Sequence, residues 1–214
     1  MSPRITRLRF QKKNPDRVNV YLDGAYAFSL PAVEAARLRK GQVLTDEEVQ
    51  ALQDLGAFQR AYDQALRFLS YRPRSEREIR QYLQRKGEPE GRIEAIVARL
   101  KERQWLDDAA FARFWVENRR SFRPRGRRAL RWELRQKGVD EAIIEAALAD
   151  VDSEAEAADL ALRQAARWKG LDYRTFRQRM LGYLTRRGFD YAEAAEATRR
   201  AWEAVGGEGQ PEEA

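Results

Sequence analysis

Leu83-Gln84-Arg85-Lys86-Gly87, Leu134-Arg135-Gln136-Lys137-Gly138 and Leu184-Thr185-Arg186-Arg187-Gly188 are three versions of one phrase, Leu-x-x-basic-Gly, spaced 51 and 50 residues apart. Glycine suits the left-handed position that ends a helix, so each phrase reads as a helix stop. Four positions before each Leu lies another apolar residue: Ile79, Leu130 and Met180. Beyond the glycines, Ile93, Ile96, Val97 and Leu100 align at +51 with Ile144, Ala147, Leu148 and Val151. The third copy has Ala194, Ala197, Thr198 and Ala201 there, which predicts a weaker last helix. Arg72-Pro73-Arg74 also recurs at +51, as Arg123-Pro124-Arg125.

A period of about 50 residues holds three short helices. The chain therefore divides into helical repeats over 57–103, 107–151 and 153–204. Such repetition implies an elongated array whose units pack mainly on their neighbours. Helix starts support the division. Ser75 with Glu78, Ser153 with Glu156, and Asp190 with Glu193 have capping-box spacing.

Residues 1–56 read differently. Val18, Val20 and Leu22 alternate, as do Tyr26, Phe28 and Leu30, around Asp23-Gly24. That dipeptide is a strong hairpin signal, because a type I′ turn needs positive φ at both central residues. Residues 5–10 suggest a third strand. Short helices near 31–38 and 46–55, the second capped by Thr45 and Glu48, should cover the sheet. The last segment, 205–214, is rich in Gly and Glu and is expected to be a disordered tail.

Composition narrows the chemistry. The 214 residues include no Cys and no His, which removes disulfides, thiolate metal sites and the commonest general base. No apolar run approaches a membrane span and no secretory signal opens the chain, so a cytoplasmic protein is expected. Neither a P-loop nor a dinucleotide-binding glycine pattern occurs, and no cofactor is expected. Asp107-Asp108 could suggest a metal, but it stands at a helix start, where Asp caps exposed N–H groups. Glu47-Glu48 has the same explanation. An enzyme is not expected.

The net charge is +7, and residues 57–150 alone carry +7 while the flanks carry +2 and −2. A localised basic field attracts polyanions. Arg119, Arg120, Arg123, Arg125, Arg127, Arg128, Arg131, Arg135 and Lys137 crowd one stretch that contains only Glu133 as an acid. Arg128, Arg131 and Arg135 share a helix face, and arginine forks suit phosphate or carboxylate. Arg72 and Arg74 extend the candidate set. The same charges could instead form an outer helix satisfied by Glu102, Glu117 or Glu141. The aromatics Trp105, Phe111, Phe114, Trp115, Trp132, Trp168 and Phe176 have core-like spacing, Trp132 being a possible exception inside the basic stretch.

Several of these motifs, in order, resemble the RecX regulators of bacterial recombination: Arg72-Pro73-Arg74-Ser75-x-x-Glu78, Leu83-x-x-Lys86-Gly87, Leu106-Asp107-Asp108-x-x-Phe111-Ala112, and Arg125-Gly126 with Glu133-Leu134-Arg135-Gln136-Lys137-Gly138. The match is strong over 57–151 and continues to 204 by repeat logic. The resemblance implies a mainly α fold of three tandem helix-turn-helix-like repeats in a curved, elongated monomer. It implies binding to the RecA–DNA filament, with contact to RecA and to single- or double-stranded DNA, and negative modulation of RecA by limiting filament extension or activity. The β-containing segment looks like an extension found only in some members. A helix-turn-helix DNA-binding protein and a protein-interaction scaffold are the alternatives.

Overall fold

Residues 2–206 are described in the computed structural model. Of the expected tail, Val205 and Gly206 close the last helix, and 207–214 lie outside the described residues.

The chain opens with an antiparallel sheet of order β1-β2-β3: Ile5–Phe10, Arg17–Leu22 and Ala25–Pro31. Asp23 and Gly24 have φ of 47° and 87°, as a two-residue I′ hairpin demands. Val18 faces Leu30 and Val20 faces Phe28 across the hairpin, and these four are buried with Ile5, Ala35 and Leu44. A short helix α1, Ala32–Ala35, precedes α2, Asp46–Ser70. The expected Thr45–Glu48 capping box starts α2.

The boundary expected between 56 and 57 falls inside α2, which runs unbroken for 25 residues. Gly56 lets the helix approach β3 so closely that a Cβ would lie 2.3 Å from the Ser29 carbonyl oxygen. Arg17, 7% exposed, locks that approach by donating to the Ser29 carbonyl, the Ser29 hydroxyl and the Gly56 carbonyl at 3.1–3.2 Å. Burial lowers its pKa, and Asp63 at 3.8 Å opposes the shift.

Three helices form each following repeat. The first uses α2 with α3, Glu76–Arg85, and α4, Glu90–Glu102. The second comprises α5, Asp108–Phe122, α6, Arg127–Gln136, and α7, Glu141–Leu148. The third comprises α8, Ser153–Ala165, a 3-10 turn at Ala166–Trp168, α9, Tyr173–Arg186, and α10, Tyr191–Ala204. The fold is mainly α, as the period implied.

The apolar positions read from the repeats are core. Ile79, Leu83, Leu130, Leu134, Met180 and Leu184 are all fully buried. The expectation of a weak last helix is corrected. α10 has 14 residues, and its Ala194, Ala197 and Ala201 are buried with Ala157, Ala161 and Ala165 of α8. Small faces let two helices approach closely, so alanine here marks tight packing. One cap also moves by a residue. Asp152 caps α8 by accepting from Ala155 N, while Ser153 is its first helical residue.

Contacts divide the chain into two units: the first runs through Arg72 and includes Ile79–Trp105, the second takes Pro73–Glu78 and everything from Leu106 on. Within the second unit, two junctions repeat. Ser75 Oγ donates to the Lys137 carbonyl at 2.7 Å, and Gly138 lies so near Arg77 that a Cβ would come within 2.8 Å of the Arg77 Cβ. One period later, Gly126 N donates to the Arg187 carbonyl at 3.1 Å, and a Cβ on Gly188 would come 2.2 Å from the Ala129 Cβ. The second and third basic-Gly stops thus each receive the start of the middle helix of the preceding repeat. Gly87, the first copy, has φ +79° and nothing within 4 Å of a would-be Cβ.

These geometries separate two costs. Gly87→Ala should lose only the left-handed strain, about 1–2 kcal/mol. Gly188→Ala adds overpacking against Ala129 and should lose roughly 2–5 kcal/mol in all. Leu83→Ala and Leu134→Ala should each cost about 2–5 kcal/mol. Urea unfolding of the full chain reads all four, and equal losses at Gly87 and Gly188 would contradict the junction.

Candidate polyanion interface

The basic stretch spans the end of α5, the loop to α6, and α6 itself. Much of its charge is spoken for. Glu133 accepts from Arg119 Nε at 2.7 Å and Trp115 Nε1 at 2.8 Å, with Arg125 Nε at 3.8 Å. The Arg119 guanidinium and the Lys137 ammonium both lie over the Trp115 ring, 4.3 and 5.0 Å from its centroid. Lys137 also meets Glu78 at 2.9 Å, and Arg120 meets Glu156 at 2.5 Å. Burial pushes the Glu156 carboxyl up while Arg120 opposes it.

On α6, the shared face of Arg131 and Arg135 looks at acids of α7. Arg131 reaches Glu145 at 2.6 Å, and Arg135 grips Glu141 with two bonds of 2.7 and 2.8 Å. That fork holds the Glu141 carboxyl below its ordinary pKa and raises Arg135. Glu141 and Glu117 therefore act as the neutralising acids the sequence allowed, and Glu133, Glu145, Glu156 and Glu78 join them.

The remaining arginines do otherwise. α6 begins with Arg127 and Arg128 and no acid, against the sense of its dipole. Arg127 donates to the Leu148 and Ala149 carbonyls that end α7, at 2.7 and 3.0 Å. Arg128 donates to the Thr185 carbonyl and Arg125 to the Arg186 carbonyl, at the end of α9. They add hydrogen bonds to the last-turn carbonyls of α7 and α9, and Arg127 and Arg128 keep an uncancelled charge, whereas Arg125 has Glu133 at 3.8 Å. Arg123 is exposed and its side chain has no hydrogen bond or ion pair among the described residues. Arg72 and Arg74 are half-buried.

Arg123 and Arg125 line a cleft of about 470 Å³ with Phe122, Tyr183, Arg186 and Arg187. Arg187 lies over the Tyr183 ring, 4.8 Å from its centroid, and donates to the Pro124 carbonyl at 3.4 Å. The sequence reading missed Arg186, Arg187, Tyr183 and Phe122, although the third helix stop contains two of them. Phe111 and Phe176 are core as expected, whereas Trp105, Phe114 and Trp132 are exposed. Asp107 caps α5 through Ala109 and Ala110 N, and Asp108 accepts from Glu76 N at the start of α3.

Tandem three-helix units with an arginine-rich middle repeat define a helical-repeat protein. Comparison places it more closely. The Regulatory protein RecX N-terminal domain matches residues 3–45, the first RecX three-helix domain 61–100 and the second 107–148. The Regulatory protein RecX of Bacillus pumilus is 32% identical over 99% of this chain and 80% of its own length. That of Oceanobacillus iheyensis is 39% identical over 68% of this chain and 56% of its own length, so this chain spans little more than half of that relative. A crystal structure of a regulatory protein RecX superposes with TM-score 0.71 and 30% identity, over 95% of this chain and 98% of that one. RecX from Lactobacillus salivarius, 24% identical, shares the fold over 67% of this chain and 96% of its own, with TM-score 0.61.

The chain belongs to the RecX family of regulatory proteins. Its β-containing segment, expected to be an extension, is thereby a domain the family describes. No helix among the described residues is long and apolar enough to cross a membrane.

Glu133 is the hub of the charged cluster, with its side chain 15% exposed. Glu133→Ala should cost about 1–3 kcal/mol, because it strands Arg119 and the Trp115 N–H. Thermal unfolding checks this, and a wild-type melting curve would show the cluster to be ornamental to the fold.

Proposed function

We propose that this chain is a cytoplasmic, monomeric negative modulator of the RecA recombinase, which binds the RecA–DNA filament and limits its extension or activity without making or breaking a bond. RecX membership carries this reading, with a match to a regulatory relative along 99% of the chain. The absence of His and Cys from the sequence agrees with action by occupancy.

The contacts are proposed to come from the basic set Arg72, Arg74, Arg119, Arg120, Arg123, Arg125, Arg127, Arg128, Arg131, Arg135 and Lys137. Within it the geometry favours the members that carry no carboxylate on their forks. Arg127 and Arg128 hold carbonyls, which leaves their charge uncompensated. Arg131, Arg135 and Lys137 would first have to exchange Glu145, Glu141 and Glu78 for a new anion. Exposed ion pairs are weak enough for such exchange.

Stoichiometric addition of the protein should lower RecA-catalysed ATP hydrolysis and strand exchange; unchanged rates would overturn the proposal. Replacing Arg125, Arg128 and Arg131 together with Ala should weaken filament binding while circular dichroism stays helical. Most of the loss should come from Arg128, which carries no carboxylate, and wild-type binding across a salt series would remove these arginines from the interface.

A further inference from the structure

We propose that the cleft between the end of α5, the loop that follows it and the end of α9 is a binding notch for the phosphodiester backbone of single-stranded nucleic acid, with Phe122 as a stacking platform for one base. It rests on the reading of the basic surface as a polyanion contact, but not on which recombinase the protein regulates.

Four arginines, Arg123, Arg125, Arg186 and Arg187, line the cleft together with two aromatic rings and no acid. Arg123 and Arg186 are exposed and have no side-chain hydrogen bond or ion pair among the described residues. Two unpartnered forks facing one small space suit a phosphate, whose oxygens accept in the plane of the guanidinium. Arg187 and Arg125 are held in place by the Pro124 and Arg186 carbonyls, so they need little further ordering to engage an anion.

The repeat supplies an internal comparison. At an offset of 50, Tyr183, Arg186 and Arg187 correspond to Glu133, Gln136 and Lys137. At an offset of 51, Phe122-Arg123-Pro124-Arg125 corresponds to Tyr71-Arg72-Pro73-Arg74. The first repeat carries Tyr82, Arg85 and Lys86 at these positions, so the third repeat shares its aromatic ring and arginine with the first, and the acid and amide belong to the second. In the third repeat this ring and these arginines meet Arg123 and Arg125 in one cleft.

Size and aromatic exposure select the ligand. A volume of about 470 Å³ admits a phosphate with its sugar. Phe122 is 78% exposed at the rim, whereas the Tyr183 face is already covered by Arg187. An open ring recognises an unstacked base, which a single strand offers and a duplex hides.

The test is anisotropy of a labelled oligothymidylate with the full chain and no recombinase, across a salt series. Arg123→Ala with Arg186→Ala should weaken binding at least tenfold and reduce the salt slope by about 1.4, the value for two lost single-strand contacts. Phe122→Ala should weaken it roughly tenfold with the slope unchanged. Arg199→Ala with Arg200→Ala removes the same charge from arginines paired with Glu196 and should stay within about twofold. Wild-type affinity in the Arg123/Arg186 variant would overturn the proposal, as would displacement of the oligonucleotide by polyglutamate as readily as by unlabelled strand. Retained oligonucleotide binding with no effect on RecA would instead overturn the functional reading and leave the notch standing.

Discussion

Two glycines each meet two demands at once. Gly138 and Gly188 end a helix with φ of 76° and 89°, which an L side chain rarely adopts. The neighbouring helix start then presses on the same atom, leaving no room for a Cβ. The backbone stop and the packing surface are one object, so the repeat cannot drift in length without breaking its neighbour's seat. This double demand fixes the second and third stops, whereas Gly87, with no helix start against it, keeps only the backbone demand. The partners obey the same rule from the other side: Gly126 and Ala129 are small, and Ser75 is fully buried with its hydroxyl on the Lys137 carbonyl.

Apolar periodicity and helix stops made most of the fold readable before any coordinates. Leu83, Leu134 and Leu184 announce three buried turns, and Asp23-Gly24 announces the hairpin. The errors share a physical origin. A boundary is expected at 56/57 because strand signals give way there to the helical repeat, yet α2 runs through it and Gly56 makes a close approach to β3, a contact with a partner 27 residues away in the chain. Alanines in α10 looked weak because they are small, yet smallness is what α8 requires of them. Local propensity could not report on partners that only the tertiary fold supplies.

The charge pattern was legible in amount and not in destination. Counting arginines between 119 and 137 located the basic surface, but the Glu145 and Glu156 carboxylates reach it from other helices. Arginine here mostly builds the fold, by bridging helices and by closing the carbonyl ends of α7 and α9. What is left over for a ligand is set by subtraction. It collects around Arg123 and Arg186, residues on different repeats that no local motif would have joined.

The continuity of α2 has a mechanical corollary. Its 25 residues make a rod about 37 Å long. One end is clamped to the sheet through Arg17 and Gly56, and the other stacks Phe68 on Tyr82 of α3 with ring centroids 4.2 Å apart. No glycine or proline follows Gly56 along the rod to serve as a joint. The sheet is thus a stiff handle on the first repeat, and any torque applied to one end is delivered to the other without slack.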